Sequence, residues 1–584
     1  MLRQLKLFLV SYLTGVSSHK LYETLKDDIT PHEKTYLESN FYIALLQNNT
    51  DFLTEELLDI SNPYSKNYGH YYTKDMITEL VTPFDSYREP VLYWLSFSNL
   101  SVVNDYGDSL YVSGNLNAIE NAFDVKMLRY SRNKKTIYRS IKPYIIPEYL
   151  QEYIVFVEGV SNPIYKRSLV NQISKANVHI DVDNNYAGKE VLYEKYNISD
   201  NLDKHYQSSV CSIEYQGESG FSESDLQLNQ QLNGHSLSNV THVIGTDYSF
   251  DMESQLDMQM MGNQIFNNTD IWFWDDNNWL YSLGVNMSNT DVIPDIISMS
   301  WGWREDNQCT VINCTNITSQ TYIHRVNIEY IKLGLRGVSI VTASGDAGAP
   351  GRTNEGCESE IGVNAVYPGA SPWVTSVGGT FIVANNQTRN WTTTLCEDNN
   401  CFTGNEERVT NFNYTGWTSG GGFSKYTNRS TYGWQVRAVN QYLSSGIPVP
   451  HNFALMGRAY PDVSMIGHSC PVVMNTYLTG VDGTSCSSPL FATVLSILNE
   501  HQLSRNKHKL GFASPLLYAM YYSNYSVFND IVEGNNFCTE YMCCDEREDG
   551  GSDFGYLARE GYDPVYGLGT PNVERMKEWL DLFT

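Results

Sequence analysis

Apolar and polar residues alternate differently in two parts of this chain. Before about residue 165, short strand-like and helix-like segments follow one another closely, each with its own period of apolar positions. The pattern predicts strands over 41–47 and 109–114 and amphipathic helices over 51–61, 84–97 and 115–125. The last of these helices opens on an asparagine, whose side chain can cap a first turn. This part is therefore predicted to be a compact α+β domain.

After about residue 190 the pattern becomes strand, helix, strand. Residues 294–301 form an apolar, β-branched segment, 321–337 have helical periodicity and a closing glycine, and 338–346 form a second apolar segment. Such a βαβ unit predicts a parallel sheet with helices on its faces. Because ligands of such sheets gather at the carboxyl ends of the strands, residues 300–302 and Asp346 are expected at the functional edge.

The remaining segments indicate processing. Arg3 and Lys6 precede an apolar run over 7–16 and two serines, which is typical of a secretory signal and too short for a membrane span. Residues 160–190 lack periodicity and carry basic and polar residues, as in a linker open to proteolysis. A leader domain before a cleavable linker suggests a zymogen. The predicted division is signal peptide 1–18, prosegment 19–165, linker with the processing site 166–190, and main domain 191–584.

Composition narrows the class of protein. The chain has 584 residues, too many for one ordinary core, and a net charge of −27 that argues against a nucleic-acid partner. The acidity is compatible with work at low pH, where carboxyl groups are protonated and repel one another less. No later apolar run is long enough to span a membrane, so we expect a soluble protein without a membrane anchor, and a monomer. Thirteen N-x-[ST] sequons fit a secreted glycoprotein.

All 11 cysteines lie at or after Cys211, so disulfides are expected in the main domain alone. Five pairs and one leftover are the simplest arrangement for a secreted protein, and the pairing cannot be deduced from sequence. The leftover could be Cys486, most simply as a small buried thiol. The C-x-x-C spacing of zinc sites is absent.

A run of small residues, VDGTSCSSP over 481–489, presents Ser485 just before a helical pattern. A serine in such a turn is accessible, and the unpaired amides at the start of the helix can stabilise an oxyanion. Ser485 is therefore a candidate nucleophile. The alternative is a serine that only caps the helix.

The candidate base is a carboxylate. None of the 12 histidines stands in a recognisable catalytic motif, whereas Glu253 and Asp257 lie four residues apart on one face of a predicted helix among Met and Leu residues. Semi-buried, two such carboxyls can share a proton and titrate as a pair. The alternative is an ordinary solvated helix face.

Asp346 ends a buried strand and could point into the same cleft. In its protonated form it could donate a hydrogen bond to an oxyanion, as neutral acids in apolar sites do. The alternative is an aspartate that caps its own turn.

Motifs in the same order along the chain resemble one family, the sedolisins or serine-carboxyl peptidases. The matching segments are ISNPYSKNYGHYYTKDMITELVTP in the prosegment, then ESQLD, SMSWG, ASGDAG, YPGASPWVTSVGGT, TSGGGFS, GRAYPDVS, GTSCSSPLF and YDPVYGLGTPN. The resemblance runs from about residue 35 to the C-terminus. It implies a subtilisin-like α/β fold, a ferredoxin-like prosegment, and a lysosomal or acidic secretory setting.

The resemblance also implies roles. Ser485 would be the nucleophile, Glu253 the general base, Asp257 the carboxylate that orients the base, and Asp346 the acid of the oxyanion hole. The implied reaction is removal of tripeptides from the N-termini of peptides or proteins. An endopeptidase with the same residues, and an inactive binding glycoprotein, are the alternatives.

One Ca²⁺ ion is implied near the C-terminus. Asp530 and Asp563 would supply side-chain oxygens, and Ile531, Arg559 and Gly561 main-chain carbonyls, which are the hard ligands that Ca²⁺ prefers. Arg559 stands where the family usually has glycine, and the alternative is that the aspartates cap turns. The insertion CTEYMCCDEREDGGSDFGYLA lies between the two halves of this site.

Glycine-rich segments are the candidates for binding an extended peptide through backbone hydrogen bonds, with tight turns as the alternative. Asp482 departs from the small residue that is common in the family beside the nucleophile. The substrate-binding candidates are Ser300, Trp301, Gly302, Gly420, Gly421 and Gly422.

These residue types predict an acid pH optimum. A histidine with a pKa of about 6.5 is already protonated in an acidic vacuole, whereas a glutamate with a pKa of about 4.3 is matched to that pH. The acid at position 346 must instead keep its proton, which low pH also favours.

Overall fold

The computed structural model describes ten stretches of the chain. The predicted signal peptide and most of the predicted linker lie outside them, so those two predictions are not addressed by the structure. The described residues are 23–24, 29–132, 135–161, 185–199, 207–215, 220–245, 251–264, 270–385, 389–523 and 525–583.

The N-terminal domain is built on a four-stranded antiparallel sheet with the strand order β3-β4-β2-β7. With its helices it forms a βαββαβ unit, the arrangement of ferredoxin-like domains. Asn115 caps the last helix by accepting a hydrogen bond from Ala118 N at 2.9 Å, as its position predicted. The elements are β1 Glu23–Thr24, β2 Glu38–Leu45, α1 Thr50–Ile60, α2 Lys74–Val81, α3 Asp85–Phe97, β3 Ser101–Asp105, β4 Ser109–Asn115, α4 Leu116–Phe123, β5 Met127–Arg132, β6 Lys135–Ser140 and β7 Ile154–Glu158.

Strand β2 serves two cores because its side chains alternate between the two faces of the sheet. Phe41, Ile43 and Leu45 are buried with α3 and α4 in the core of the N-terminal domain. Tyr42 and Ala44 face the opposite way, into a cluster shared with the main domain. The sheet therefore closes its own domain with one face and docks with the other.

The main domain is organised around an eight-stranded sheet in the order β16-β15-β13-β11-β8-β10-β9, with β19 also paired to β15. All pairs are parallel except β15 with β16. The strands are β8 Ser209–Tyr215, β9 His242–Ile244, β10 Asp270–Asp276, β11 Ile296–Met299, β12 Trp303–Arg304, β13 Ser339–Ala343, β14 Val366–Tyr367, β15 Thr375–Ile382, β16 Glu407–Val409, β17 Gly422–Asn428, β18 Gly457–Tyr460, β19 Val463–Ile466, β20 Cys470–Met474, β21 Tyr477–Val481, β22 Phe528–Asn529 and β23 Thr570–Pro571.

Helices cover both faces of this sheet, as the βαβ pattern predicted. The predicted unit is confirmed, since β11 and β13 pair in parallel on either side of a long helix. The helices are α5 Lys189–Lys195, α6 Glu223–Leu232, α7 Met252–Gln259, α8 Leu280–Asn289, α9 Gln308–Ile312, α10 Ser319–Leu335, α11 Thr394–Asn399, α12 Phe412–Thr415, α13 Val436–Leu443, α14 Thr484–Leu503, α15 Ser514–Ser523 and α16 Val573–Phe583. Within the described stretches no helix is long and apolar enough to cross a bilayer.

The N-terminal domain contacts the main domain through a buried ionic cluster. Asp108, which is fully buried, accepts hydrogen bonds from Lys332 Nζ at 3.1 and 2.9 Å and lies 3.3 Å from Arg325 Nη2. Lys332 also bonds to Glu329, 3.0 Å away. Burial opposes ionisation of Asp108, but Lys332 and Arg325 hold its pKa below the ordinary value. Its contribution to the interface therefore persists above an ordinary aspartate pKa and is lost only in stronger acid.

A second carboxyl of the N-terminal domain, that of Glu158, is buried at the same interface. It accepts hydrogen bonds from Trp279 N at 3.3 Å and from Tyr322 OH at 3.1 Å. Burial, and next the charge of Asp276, raise the pKa of Glu158 to about 7. The contribution of Glu158 to the stability of the interface is therefore complete at acid pH and is lost as the pH rises through about 7. Neither carboxyl loosens the interface when the pH falls from 7 to 4.

Replacing Asp108 by asparagine is expected to weaken the docking of the N-terminal domain. Loss of one partner from a buried ion pair costs about 3 kcal/mol, here reduced by Glu329, so opening of the interface should become at least tenfold more frequent. The measurement is the rate at which the precursor is trimmed by a trace of added protease at pH 6. Glu148→Gln, an exposed carboxyl of the same domain, is the control. Equal rates for all three precursors would contradict the prediction.

Five disulfides are present and one described cysteine is free. The expectation of five pairs and one leftover is confirmed, but the suggestion that Cys486 is the leftover was wrong: Cys486 is bonded to Cys470, and the free thiol is the buried Cys211. Cys486 follows Ser485 in the first turn of α14, and its partner Cys470 is the first residue of β20 in the β20–β21 hairpin. The other pairs are Cys309–Cys314, Cys357–Cys544, Cys396–Cys401 and Cys538–Cys543.

Candidate active site

Ser485 lies in the first turn of the buried helix α14, which packs against β11, β13 and β15. Gly483 precedes the helix with φ of +140°, a backbone conformation that side chains rarely adopt, and it makes the sharp entry into the turn. The Ser485 Oγ is fully buried and makes no hydrogen bond in the precursor. A serine hydroxyl left without a partner at a helix start is free to meet a reacting group.

Asp346 lies beside this turn at the end of strand β13. Its Oδ1 accepts two hydrogen bonds of 2.8 Å, from the backbone N–H and the hydroxyl of Thr484. Its Oδ2 is buried and accepts no hydrogen bond. The carboxyl is thus fixed through one oxygen, and the other oxygen is available to hold a proton and donate it.

The two carboxylates predicted on one helix are both on α7 and both buried. Glu253 is 1% exposed and Asp257 is 0% exposed, so the alternative of a solvated helix face is excluded. Ser300, which follows β11, donates a hydrogen bond of 2.8 Å to Asp257 Oδ1 and lies 3.5 Å from the carbonyl oxygen of Ser485. Ser300 therefore connects the acidic helix to the turn that carries the nucleophile candidate.

Glu214 is a fourth buried carboxyl, which the sequence analysis missed. It lies on strand β8 and accepts a hydrogen bond of 2.9 Å from the indole N–H of Trp301. Burial, and next the charge of Asp257, raise its pKa well above the ordinary value. Its strand, SVCSIEY, mixes polar and apolar residues, so a glutamate near its end gave no local signal of function.

The electrostatics favour protonated acids on this side of the sheet. Burial and the neighbouring Glu253 raise the pKa of Asp257 well above its usual range. For Asp346, burial raises the pKa to about 7, against the opposing charge of Arg352. The charge of Glu253 acts on both Asp257 and Arg352, raising the pKa of each.

Histidine does not take the place of the carboxylates. In the described part of the chain no histidine hydrogen-bonds to Ser485 Oγ. His468, in the turn before β20, lies with its Nδ1 3.0 Å from Asp482 Oδ1 and packs against Phe381 and Phe402. Asp482, which departs from the family pattern, thus pairs with His468 next to the turn that carries Ser485.

The substrate-binding candidates separate into two groups. The side chain of Trp301 is in the core against Tyr215, so only the backbone of 300–302 is left for a peptide. Gly420 and Gly421 are required by packing, because a Cβ there would lie 2.5 Å from Ser344 O and 2.1 Å from Pro564 O.

Two cavities adjoin the candidate site. Gly302 and Asp346 line a small one, whereas Gly421 and Gly422 line a larger one of about 410 Å³ together with Phe423 and Phe453. Asn364 lines both, so the two cavities are neighbours. An extended peptide has room along this edge of the sheet.

The residues predicted to bind calcium converge on one hydroxyl. Tyr566 OH lies 2.8 Å from Asp530 Oδ1 and 2.8 Å from the carbonyl oxygen of Arg559. Asp530 Oδ2 accepts a hydrogen bond from Gly561 N at 2.9 Å, and the neighbouring Ile531 is buried. Arg559 therefore presents its carbonyl here in spite of its side chain.

Asp563 completes this group. It is fully buried, accepts hydrogen bonds from the backbone N–H groups of Arg559 and Val565 at 2.8 and 2.9 Å, and has a pKa raised well above the ordinary value by burial. Among the described residues, no lysine or arginine forms a salt bridge with Asp530 or Asp563, and no group of three or more His, Cys, Asp and Glu residues is arranged to hold a metal ion. Two carboxylates and a carbonyl without a counter-ion form a donor set that fits a hard cation.

Comparison with known proteins shows which family this chain resembles. Residues 25–162 match the model of the pro-kumamolisin activation domain. The chain is 36% identical to physarolisin of Physarum polycephalum over 546 residues, covering 91% of this chain and 92% of that protein. It is 29% identical to mouse tripeptidyl-peptidase 1 over 579 residues, covering 93% and 92%.

The fold agrees with a solved structure. Pseudomonas sedolisin, a serine-carboxyl proteinase in complex with pseudo-iodotyrostatin, superposes with a TM-score of 0.51 at 22% identity, covering 68% of this chain and 98% of that one. The expected fold class, a subtilisin-like parallel sheet flanked by helices behind an N-terminal activation domain, is confirmed. This chain belongs to the sedolisin family of serine-carboxyl peptidases, and it carries the family's activation prosegment.

Proposed function

We propose that this peptidase cleaves peptide bonds in acid with Ser485 as nucleophile, Glu253 as general base, Asp257 as the residue that orients the base, and Asp346 as the oxyanion acid. The observation that carries the proposal is the geometry around Thr484. Its N–H and hydroxyl fix Asp346 Oδ1 next to Ser485, while Asp346 Oδ2 and Ser485 Oγ have no hydrogen-bond partner. Both free atoms are those that the reaction requires.

The proposed reaction has two steps. Glu253 accepts the proton of Ser485 as Oγ attacks the scissile carbonyl carbon, and the Asp346 Oδ2–H donates to the oxygen that becomes negative. Glu253 then returns the proton to the leaving amine, and the acyl-enzyme forms. Water, deprotonated by Glu253, hydrolyses the ester and frees Ser485.

The carboxyls on the cleft divide into one base and several acids. Asp257 and Glu214 are protonated well above an ordinary carboxyl pKa, and Asp346 up to about pH 7. Glu253 is the remaining carboxyl of helix α7, and it is the residue proposed as base. A glutamate is an effective base in the pH range where a histidine is already protonated.

The pH profile should fall on the alkaline side as Asp346 loses its proton. Because its pKa is raised to about 7, activity is expected below that value, with about a tenfold loss per unit above it. Asp346→Ala should lower kcat about 100-fold or more at pH 4. The measurement is kcat/KM between pH 3 and 8, and a flat profile from 4 to 8 would contradict it.

Release of tripeptides from N-termini is the proposed specificity, because the chain aligns with tripeptidyl-peptidase 1 over nearly its whole length. Physarolisin, whose name states no tripeptidyl activity, is more similar in sequence at 36% identity, so internal cleavage stays as the second candidate. Digesting an unblocked 12-residue peptide and its N-acetylated copy at pH 4 distinguishes the two. Stepwise tripeptides from the free peptide alone support the exopeptidase, whereas equal internal cuts in both support the endopeptidase.

We propose that one Ca²⁺ ion binds Asp530, Asp563 and main-chain carbonyls of Ile531, Arg559 and Gly561, where it would act structurally. Chelation with EDTA should then destabilise the protein by about 2.7 kcal/mol if the ion had been present at 100 times its Kd. Thermal unfolding of the Ser485→Ala precursor measures this without activity. Asp563→Asn should abolish the EDTA effect, and Asp549→Asn, an exposed carboxyl nearby in sequence, should retain it.

The setting proposed for this activity is an acidic lysosomal or secretory compartment. Five disulfides fit an oxidising route to that compartment.

A further inference from the structure

Arg352 brings a guanidinium close to Asp346. Its Nη2 lies 3.7 Å from Asp346 Oδ2, which is beyond hydrogen-bond distance but close enough for a strong electrostatic effect. A guanidinium that closed this gap would bond to the oxygen proposed as proton donor and would fix it as an ionised acceptor. The position of Arg352 therefore decides whether Asp346 can work.

Glu540 keeps Arg352 occupied. The glutamate accepts from Arg352 Nε at 3.1 Å with each oxygen and from Nη2 at 2.6 Å, an arrangement that uses the planar edge of the guanidinium. The side chain of Glu540 is 7% exposed, so the pair is largely shielded from water. An Arg bound in this way has little freedom to turn towards a second carboxylate.

The segment that carries Glu540 is held by two disulfides. Cys538–Cys543 closes the loop around it, and Cys357–Cys544 ties the loop to the strand-end segment that follows Arg352. This segment opens the insertion found in the sequence, for which the proposed reaction has given no role. Its backbone also lies on the active-site loop, since a Cβ on Gly348 would be 2.0 Å from Cys538 O.

We propose that Glu540 is a positioning residue that holds the Arg352 guanidinium away from Asp346 Oδ2, so that this oxygen keeps its proton for the substrate. The inference rests on the oxyanion role proposed for Asp346. It assigns the cysteine-bonded insertion a function in the reaction, although no residue of the insertion touches the reacting atoms.

Other charged groups also influence the electrostatics of the Arg352–Glu540 pair. Glu253 acts on Arg352 from helix α7, and Glu355 lies near both Glu540 and Arg352. Burial and the charge of Glu540 raise the pKa of Glu355 to about 7. Tyr541 is adjacent and faces the same carboxyls. Glu540 supplies the three hydrogen bonds that hold the edge of the guanidinium, and its charge is the largest favourable influence on the pKa of Arg352.

Glu540→Gln tests the proposal. A glutamine at this position cannot neutralise Arg352, so the guanidinium is expected to bind Asp346 and lower its pKa by about 1 unit or more. The alkaline limb of kcat/KM should move to lower pH by that amount, and activity at pH 6.5 should fall about threefold or more. Arg352→Gln should move the limb to higher pH. The double variant should bring it back to the wild-type position or above, because the competing cation is gone.

Control variants distinguish a failure of the role proposed for Glu540 from a failure of the role proposed for Asp346. Glu406→Gln removes the acid of an exposed Arg–Glu pair with Arg408 and should leave the limb in place. If Glu540→Gln does not fold, as judged by its thermal transition, Arg352→Gln alone decides, and a limb that stays or moves to lower pH overturns the proposal. An equal shift in Glu540→Gln and the double variant also overturns it. Full activity of Asp346→Ala would instead refute the oxyanion role, and then the proposed function fails first.

Discussion

Ser485→Ala is expected to abolish peptide hydrolysis and to leave the precursor uncut at pH 4. Without Oγ no acyl-enzyme forms, and the loss in kcat should be about 10⁴-fold or more, as for nucleophiles that act with a base and an oxyanion site. The small side chain fits the buried turn, so folding is preserved. The measurement combines a peptide assay with N-terminal sequencing of the precursor after incubation in acid.

Ser487→Ala is the matched control for this prediction. Ser487 lies in the same first turns of helix α14 and donates hydrogen bonds to the carbonyls of Met465 and Ile466, so its loss should cost about 1 kcal/mol of stability and little activity. Hydrolysis by the Ser485→Ala enzyme at more than about a hundredth of the wild-type rate would show that another nucleophile acts.

Glu253→Gln is expected to lower kcat about 1000-fold or more at the acid optimum. The amide has the shape of the glutamate but cannot accept the serine proton at any working pH, so the attack loses its base. KM should change much less than kcat, since the buried side chain is proposed to take the serine proton and not to bind the peptide. Steady-state kinetics at pH 4 provide both values.

His468→Gln is the comparison that decides between a carboxylate and an imidazole. His468 pairs with Asp482, three residues before Ser485, rather than with the Ser485 hydroxyl. We expect its replacement to retain most of the activity. An active Glu253→Gln enzyme together with an inactive His468→Gln enzyme would reverse the assignment of the base.

Local patterning was sufficient to predict most of the elements that place the site. The strand over 294–301, the helix over 321–337 and the strand over 338–346 all form. Each is specified by residues close together in sequence, namely the spacing of the apolar residues and the glycine that ends the helix. The double role of β2 could not be predicted. Its alternation of Tyr42 and Ile43 shows two apolar faces, but only the tertiary structure shows that one face belongs to another domain.

The site was predicted less evenly than the fold. Glu253 and Asp257 were found because a helix brings residues four apart together, whereas Glu214 comes from a distant strand and carries no local signal. The side chain of Trp301 packs inward, so the prediction that residues 300–302 bind a peptide rests on their backbone alone. The pairing of Cys486 depends on a hairpin whose approach to α14 is set only by the folded chain.

Departure of the activation domain changes more than access to the cleft. Asp108 leaves with it, and so do the side chains of β2 that cover α8 and α10. Within the described structure, Arg325 and Lys332 then keep their ion pairs with Glu329, and the apolar side chains that packed on β2 meet solvent. Maturation thus exposes a surface patch of apolar and cationic side chains that the precursor keeps covered.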